Sequence, residues 1–169
     1  VRVCDADNRI LGVNEVGALQ VRGANVFVGY WNMPEQTAQD FTPDGFFNTG
    51  DLAVIDDQGY VSIVGRSKDM VISGGLNVYP KEVEMLIDAL PGVLESAVIG
   101  VPDPDFGEAV VAVVVLRDSS LTTQQIREAL RTKAANFKVP KRIIFVDELP
   151  RNAMGKVQKQ VLRSQLLAQ

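Results

Sequence analysis

Short apolar runs separated by turn-forming residues dominate the first part of the chain. Ala18-Leu19-Gln20-Val21, Val26-Phe27-Val28, Leu52-Ala53-Val54-Ile55 and Tyr60-Val61-Ser62-Ile63-Val64 read as strands. Asp5-Ala6-Asp7-Asn8, Pro43-Asp44-Gly45 and Asp56-Asp57-Gln58-Gly59 read as turns, and the last of these predicts a hairpin between its flanking runs. Residues 34–41 predict a short polar helix with Pro34 in its first turn, where the missing amide proton costs nothing.

From about residue 66 the pattern changes. Val71-Ile72 and Leu76-Asn77-Val78-Tyr79 flank Ser73-Gly74-Gly75 and predict a second hairpin. Pro80 opens a helix in which Val83, Leu86, Ile87 and Leu90 recur at helical spacing, until Pro91-Gly92 stops it. Residues 93–101 and 108–116 predict strands joined by the turn-rich segment 102–107. Thr122 or Thr123 caps a helix to about Ala135, residues 142–146 form a further strand, and residues 157–167 a last helix. The expected fold class is α+β: a β-rich subdomain over residues 1–67, then a small mixed α/β domain over 68–169, with the division in Gly65-Arg66-Ser67-Lys68-Asp69.

Composition narrows the chemistry. The 169 residues are 46% apolar and 22% charged, enough apolar material for a packed core rather than a disordered chain. Histidine is absent, which removes Ser-His-Asp and Cys-His nucleophiles and every His-ligated metal site. The single cysteine, Cys4, rules out an intrachain disulfide and a cysteine zinc cluster, and fits a reducing, cytoplasmic setting. The longest apolar run, residues 109–116, falls far short of the ~20 residues that span a bilayer. No secretory leader pattern is visible, and no nucleic-acid partner or membrane span is expected. The opening Val1-Arg2-Val3 is strand-like and lacks an initiator Met, so the chain is expected to be a piece of a longer protein.

The net charge of −4 is uneven. Residues 1–65 carry −6, whereas residues 133–169 hold eight basic and two acidic groups. A basic C-terminal stretch on an acidic protein reads either as a solvated helix face or as a site for an anionic ligand.

Four clusters are candidates for chemistry. In Thr49-Gly50-Asp51, a carboxylate beside a glycine is suited to accept from two vicinal hydroxyls of a ribose; alone, the tripeptide also reads as a turn capped by Asp. In Gly65-Arg66-Ser67-Lys68-Asp69, Arg66 can fork onto a diol or phosphate, or form a surface ion pair. Ser73-Gly74-Gly75 permits close approach of backbone to a ligand, or is a plain hairpin turn; it matches neither a P-loop nor a dinucleotide fingerprint. In Pro150-Arg151-Asn152-Ala153-Met154-Gly155-Lys156, a lysine at a loop tip can neutralise charge on a phosphoryl or acyl oxygen, or simply be solvated.

These clusters, in this order, resemble the C-terminal third of the adenylate-forming enzymes: acyl-CoA synthetases, peptide-synthetase adenylation domains and luciferases. The likeness runs through Gly45-Phe46-Phe47-Asn48-Thr49-Gly50-Asp51-Leu52, Asp57-Gln58-Gly59-Tyr60, the stretch from Gly65 to Gly75, Asn77-Val78-Tyr79-Pro80-Lys81-Glu82-Val83-Glu84, Ala97-Val98-Ile99-Gly100-Val101-Pro102-Asp103, Lys138-Val139-Pro140-Lys141 and the Lys156 loop. It covers essentially the whole chain. Within the family, residues 149–159, 74–82 and 25–31 are most similar to malonyl-CoA synthetases.

The resemblance implies a fragment of an ATP-dependent acid–CoA ligase acting on malonate or a close dicarboxylate, with ATP, Mg2+ and CoA as co-substrates. Asp51 and Arg66 would bind the AMP portion, Lys68 would be the hinge, and Gly74, Gly75, Phe137 and Lys141 would contact CoA. Lys156 would be catalytic in adenylation. No metal ligand is expected in this chain, because those for Mg2+ would lie in the rest of the large N-terminal domain. Residues 1–67 would close that domain, residues 68–169 would be the mobile lid, and the isolated chain would be inactive. Alternatives are a ligase for another short, medium or aromatic acid, a carrier-protein-loading adenylation domain, and a non-enzymatic binding module.

Overall fold

The computed structural model describes residues 1–117 and 121–168. The chain divides into two compact units, Val1–Lys68 and Asp69–Gln169, where the sequence places its division between residues 67 and 68.

The first unit is an antiparallel meander of β1 (Arg2–Cys4), β2 (Gly17–Val21), β3 (Phe47–Ile55) and β4 (Val61–Arg66), paired in chain order. The β3–β4 hairpin closes as the sequence predicts. Asp56 Oδ1 accepts from the amides of Gln58 (3.0 Å) and Tyr60 (2.8 Å), and Gly59 takes φ +85°. The helix α1 (Pro34–Asp40) begins on its proline. The expected strand at residues 26–28 does not form. Val28 is fully exposed, and the Phe27 ring leaves the chain direction to pack edge-on against Tyr30, Phe41 and Phe47 at 5.0–5.7 Å. A small core of Val3, Leu19 and Ala53 sits beside a polar centre at buried Gln20, which is held by Arg2, Asn8 and Asn48.

The second unit is a five-stranded sheet of β5 (Val71–Ser73), β6 (Leu76–Val78), β7 (Val93–Asp103), β8 (Gly107–Leu116) and β9 (Arg142–Phe145). The order is β6-β5-β8-β7, with β9 parallel to β8. The continuous apolar run of β8 is explained by burial on both faces. Val110, Ala112 and Val114 pack under α2 (Pro80–Asp88) and α3 (Thr123–Arg131), against Val83, Ile87, Ile126 and Leu130. Val111, Val113 and Val115 pack on the other face with Leu162 of α4 (Lys159–Leu167).

Of the boundaries that differ from the sequence reading, three have a specific local reason. β7 continues through Pro102 because β7 pairs only with β8; as an edge strand it tolerates the missing donor. α3 is capped by Thr122, whose hydroxyl and Gln125 side chain form a reciprocal capping box, and it stops at Arg131 rather than near Ala135. Beyond it, Ala135 is extended and leads into the short 3-10 turn Asn136–Lys138. α4 starts at Lys159 rather than 157, because Val157 bridges back to Arg151 and the Gln158 amide bonds to Pro150 O.

Candidate functional site

In the first unit the site is built by a bulge. Ala18 pairs with Leu52 and Gln20 with Asn48, so Thr49, Gly50 and Asp51 all lie opposite Leu19. Gly50 supplies the left-handed φ of +74° that the bulge needs. Thr49 Oγ1 donates to Leu19 O (3.0 Å) and accepts from the Asp51 amide (3.1 Å), locking the distortion. Thr49-Gly50-Asp51 is therefore neither a terminal turn nor regular strand. On the other side of β3, the extra residue Val64 on β4 brings Asp51 into register with Arg66, with Arg66 Nε 2.8 Å from Asp51 Oδ1. Arg66 Nη1 also reaches Thr49 O at 3.5 Å. The Arg66 side chain is half exposed and that of Asp51 about one-fifth. Lys68 lies exposed in the 3-10 turn Ser67–Asp69, with no ion pair among the described residues.

In the second unit the β5–β6 hairpin turns on Gly74 (φ +58°) and Gly75 (φ +77°), both in the left-handed region that a two-residue hairpin loop favours. The Gly74 amide donates to Phe106 O (2.9 Å), and a Cβ on Gly74 would sit 3.3 Å from the Phe106 ring. Beside this turn lies a cavity of about 400 Å³, lined chiefly by Gly74, Leu76, Phe106, Phe137, Val139 and Lys141. Lys141 Nζ stands 3.0 Å over the Phe106 ring centroid and 3.6 Å from Asp103 Oδ2. Burial opposes ionisation of Asp103, but the amides of Asp105 and Phe106 (both 3.1 Å) and the Lys141 ammonium outweigh it and hold its carboxyl below the usual value. A neighbouring cavity of about 630 Å³ shares Asn136, Val139 and Lys141 and adds Arg127 and Arg131.

The third feature is the Lys156 loop. Asn152 Oδ1 accepts from the amides of Met154 (3.0 Å) and Lys156 (2.9 Å), while Asn152 N donates to Lys156 O (2.9 Å). Gly155 turns the chain at φ +76°. Arg151 donates to Gly155 O (2.6 Å) and pairs with Glu95 on β7. Lys156 itself is exposed and has no ion-pair partner among the described residues. The loop is thus folded tightly around an ammonium left uncommitted.

The structure brings Asp51 to Arg66, and Gly74 to Phe137 and Lys141. Gly75 shares the hairpin turn but does not line the 400 Å³ cavity. Sequence reading missed Phe106, which it treated as part of a turn-rich connection, and the pair Arg127 and Arg131. The i, i+4 spacing of the two arginines on an amphipathic helix was the available signal. Among the described residues no group of three or more His, Cys, Asp or Glu converges to hold a metal ion. No described helix is long and apolar enough to cross a membrane.

A β-meander carrying an Asp–Arg pair, followed by a small mixed α/β unit with a Gly-Gly hairpin and a tight lysine loop, is the fold of the C-terminal part of adenylate-forming enzymes. Residues 82–156 match the family of AMP-binding enzyme C-terminal domains. The chain is similar to ATP-bound MatB from Rhodopseudomonas palustris, at 56% identity and a TM-score of 0.91, covering 97% of this chain and 33% of that one. It is 49% identical over 90% of its length to the 3-[(3aS,4S,7aS)-7a-methyl-1,5-dioxo-octahydro-1H-inden-4-yl]propanoyl:CoA ligase of Rhodococcus jostii, of which it covers 30%. It is 44% identical over 96% of its length to a long-chain-fatty-acid–CoA ligase of Mycobacterium tuberculosis, of which it covers 32%. The chain therefore spans about a third of the length of these relatives.

Proposed function

We propose that this chain is the C-terminal part of an ATP-dependent carboxylic acid–CoA ligase, which forms an acyl adenylate with release of pyrophosphate and then transfers the acyl group to the CoA thiol. The observation that carries the reading is the cavity beside the Gly74 turn. It has an apolar lining, an exposed aromatic ring at Phe137 and a cation at Lys141, in a chain similar to CoA ligases. A pantetheine arm is narrow, flexible and amide-bearing, and a glycine turn leaves room for it. Arg127, Arg131 and Lys141 in the adjoining cavity suit the phosphates of a CoA nucleotide.

In the first step Asp51 accepts hydrogen bonds from the ribose hydroxyls of ATP, and Arg66 holds that carboxylate in place. Lys156 approaches the α-phosphate and the attacking carboxylate, where negative charge crowds in the transition state, and neutralises it. Mg2+ would accompany the polyphosphate, held by ligands expected in the rest of the protein. In the second step the thiol attacks the acyl carbonyl and AMP leaves. Lys156 is not needed there, and Gly74, Gly75, Phe137 and Lys141 guide CoA instead. Lys68 is the hinge between the two arrangements, with residues 68–169 as the moving part and residues 1–67 as the end of the large domain. A buried free thiol at Cys4 is compatible with a cytoplasmic setting.

Malonate is the proposed acid, on the likeness of residues 149–159, 74–82 and 25–31 to malonyl-CoA synthetases. The alternatives are another acid, which the varied acids named for the relatives favour, and a carrier-protein acceptor in place of CoA. The test is pyrophosphate release and CoA thioester formation by the full-length protein over a panel of acids. Malonate-selective thioester formation supports the whole reading. Thioester formation with another acid discards malonate, and adenylation without CoA transfer discards the acceptor.

A further inference from the structure

Among the described residues β7 is an open edge of the second sheet, and two of its outward backbone groups are bound by side chains rather than by a strand. The amide of Val98 donates to Glu84 Oε1 at 2.9 Å, and Gly100 O accepts from Arg163 Nε at 2.8 Å. Glu84 stands on α2, which packs on one face of the sheet, whereas Arg163 stands on α4, on the other. The same Oε1 is 2.6 Å from the ammonium of Lys159, the first residue of α4. The pair is nearly dry, with the Glu84 side chain 9% exposed and that of Lys159 20%. It forms a latch around the sheet edge, joining helices on opposite faces.

The latch sits three residues from Lys156. On its near side the loop is tied to β7 by Arg151 and Glu95; on its far side the first charged anchor is Lys159. Two residues earlier on α2, about 200° around the helix, Glu82 accepts Lys138 Nζ on both oxygens at 2.7 and 2.8 Å. Lys138 belongs to the 136–141 segment that lines the 400 Å³ cavity. One helix therefore grips the lysine loop with one glutamate and the cavity segment with the other.

We infer that Glu84 and Lys159 are positioning residues for adenylation: their buried pair fixes the far end of the 150–158 loop and so holds the Lys156 ammonium in place, without touching substrate. The functional half of this statement rests on the role proposed above for Lys156. Glu84→Gln keeps an oxygen for the Val98 amide and removes only the charge, so it separates the latch from the edge cap. Lys159→Met removes the cation, and Lys159→Arg retains it.

Two readouts on the full-length protein decide it. Amide hydrogen exchange of residues 150–158 reports the anchoring whatever the activity is. Glu84→Gln and Lys159→Met are expected to speed it about tenfold, with β7 and β8 unchanged and Lys159→Arg near wild type. Unchanged loop exchange, or equal loosening of the whole sheet, overturns the inference. In acid-dependent ATP–pyrophosphate exchange, the same two variants are expected to lower kcat about tenfold with KM for ATP within about twofold, while thioester formation from preformed acyl adenylate stays within about twofold. Glu82→Gln is expected to show the opposite split. If Lys156→Ala abolishes pyrophosphate exchange but Glu84→Gln does not lower it, positioning is disproved. If Lys156→Ala is itself active, the proposed role of Lys156 falls, and the inference falls with it as a statement about adenylation.

Discussion

Asp51 and Arg66 face one another directly across β3 and β4, with Arg66 Nε 2.8 Å from Asp51 Oδ1, in a register set by the extra residue Val64 on β4; in unbroken pairing Asp51 would face Gly65. That extra residue on β4 sets a cation rather than a glycine opposite the carboxylate at the sheet's end. One oxygen is committed to arginine. The other, Oδ2, has no hydrogen-bond partner among the described residues and is available to hydroxyl donors.

That geometry separates the two residues' roles. Asp51→Asn is expected to raise KM for ATP about tenfold, the loss of one charge-assisted hydrogen bond to a diol, with KM for CoA unchanged. Arg66→Lys keeps a cation but loses the planar donor that reaches both Asp51 and Thr49 O, and should raise KM for ATP by about threefold. Steady-state kinetics with ATP varied checks both values, and a larger effect from Arg66→Lys than from Asp51→Asn would reverse the assignment.

The Gly74 turn makes a different forecast. Gly74→Ala places a Cβ 3.3 Å from the Phe106 ring at a left-handed φ, costing about 1–2 kcal/mol of stability in urea unfolding. It also crowds the cavity mouth, so KM for CoA should rise about tenfold while acid-dependent pyrophosphate exchange stays within about twofold. Equal losses in both half-reactions would mean that Gly74 serves the fold alone.

Acid should weaken the first unit through Asp44. Arg2 donates to both oxygens of Asp44 (2.7 and 3.1 Å), and this bond, with help from Thr42, lowers the Asp44 carboxyl to about 2. A carboxyl lowered in the folded state adds stability above its unfolded value, near 3.9, and loses it as pH falls toward about 2. Arg2→Ala should return the Asp44 titration, followed by carbon NMR of its carboxyl, to the ordinary carboxylate range. It should also flatten the dependence of stability on pH between about 4 and 2. An unshifted Asp44 titration in the variant would contradict the pairing.

Much of this architecture is written locally in the chain. Pro34 and Pro80 mark helix starts, because a ring-fixed φ without an amide proton fits the first turn. Gly74-Gly75 between apolar runs is a hairpin, and the unbroken apolar run of β8 is a strand covered on both sides. The Val26-Phe27-Val28 run misleads because its β-branched and aromatic residues match a strand, while Phe27 is drawn into an aromatic cluster with Phe41 and Phe47, distant in sequence. Val157 misleads because helical periodicity does not register its bridge to Arg151. The site divides in the same way. Asp51, Arg66, Gly74, Phe137, Lys141 and Lys156 are legible as motif residues. Phe106 joins the cavity only through the β7–β8 turn, and the Glu84–Lys159 contact spans 75 positions, so local pattern carries no trace of either.

The central claim is that Lys156 acts in adenylation and not in thioester formation. The direct test is to measure both half-reactions of the full-length protein with Lys156→Ala. Acid-dependent ATP–pyrophosphate exchange is expected to fall about a hundredfold or more, with thioester formation from preformed acyl adenylate and CoA within about threefold of wild type. Pyrophosphate exchange that survives the substitution, or an equal loss in both steps, would contradict the account.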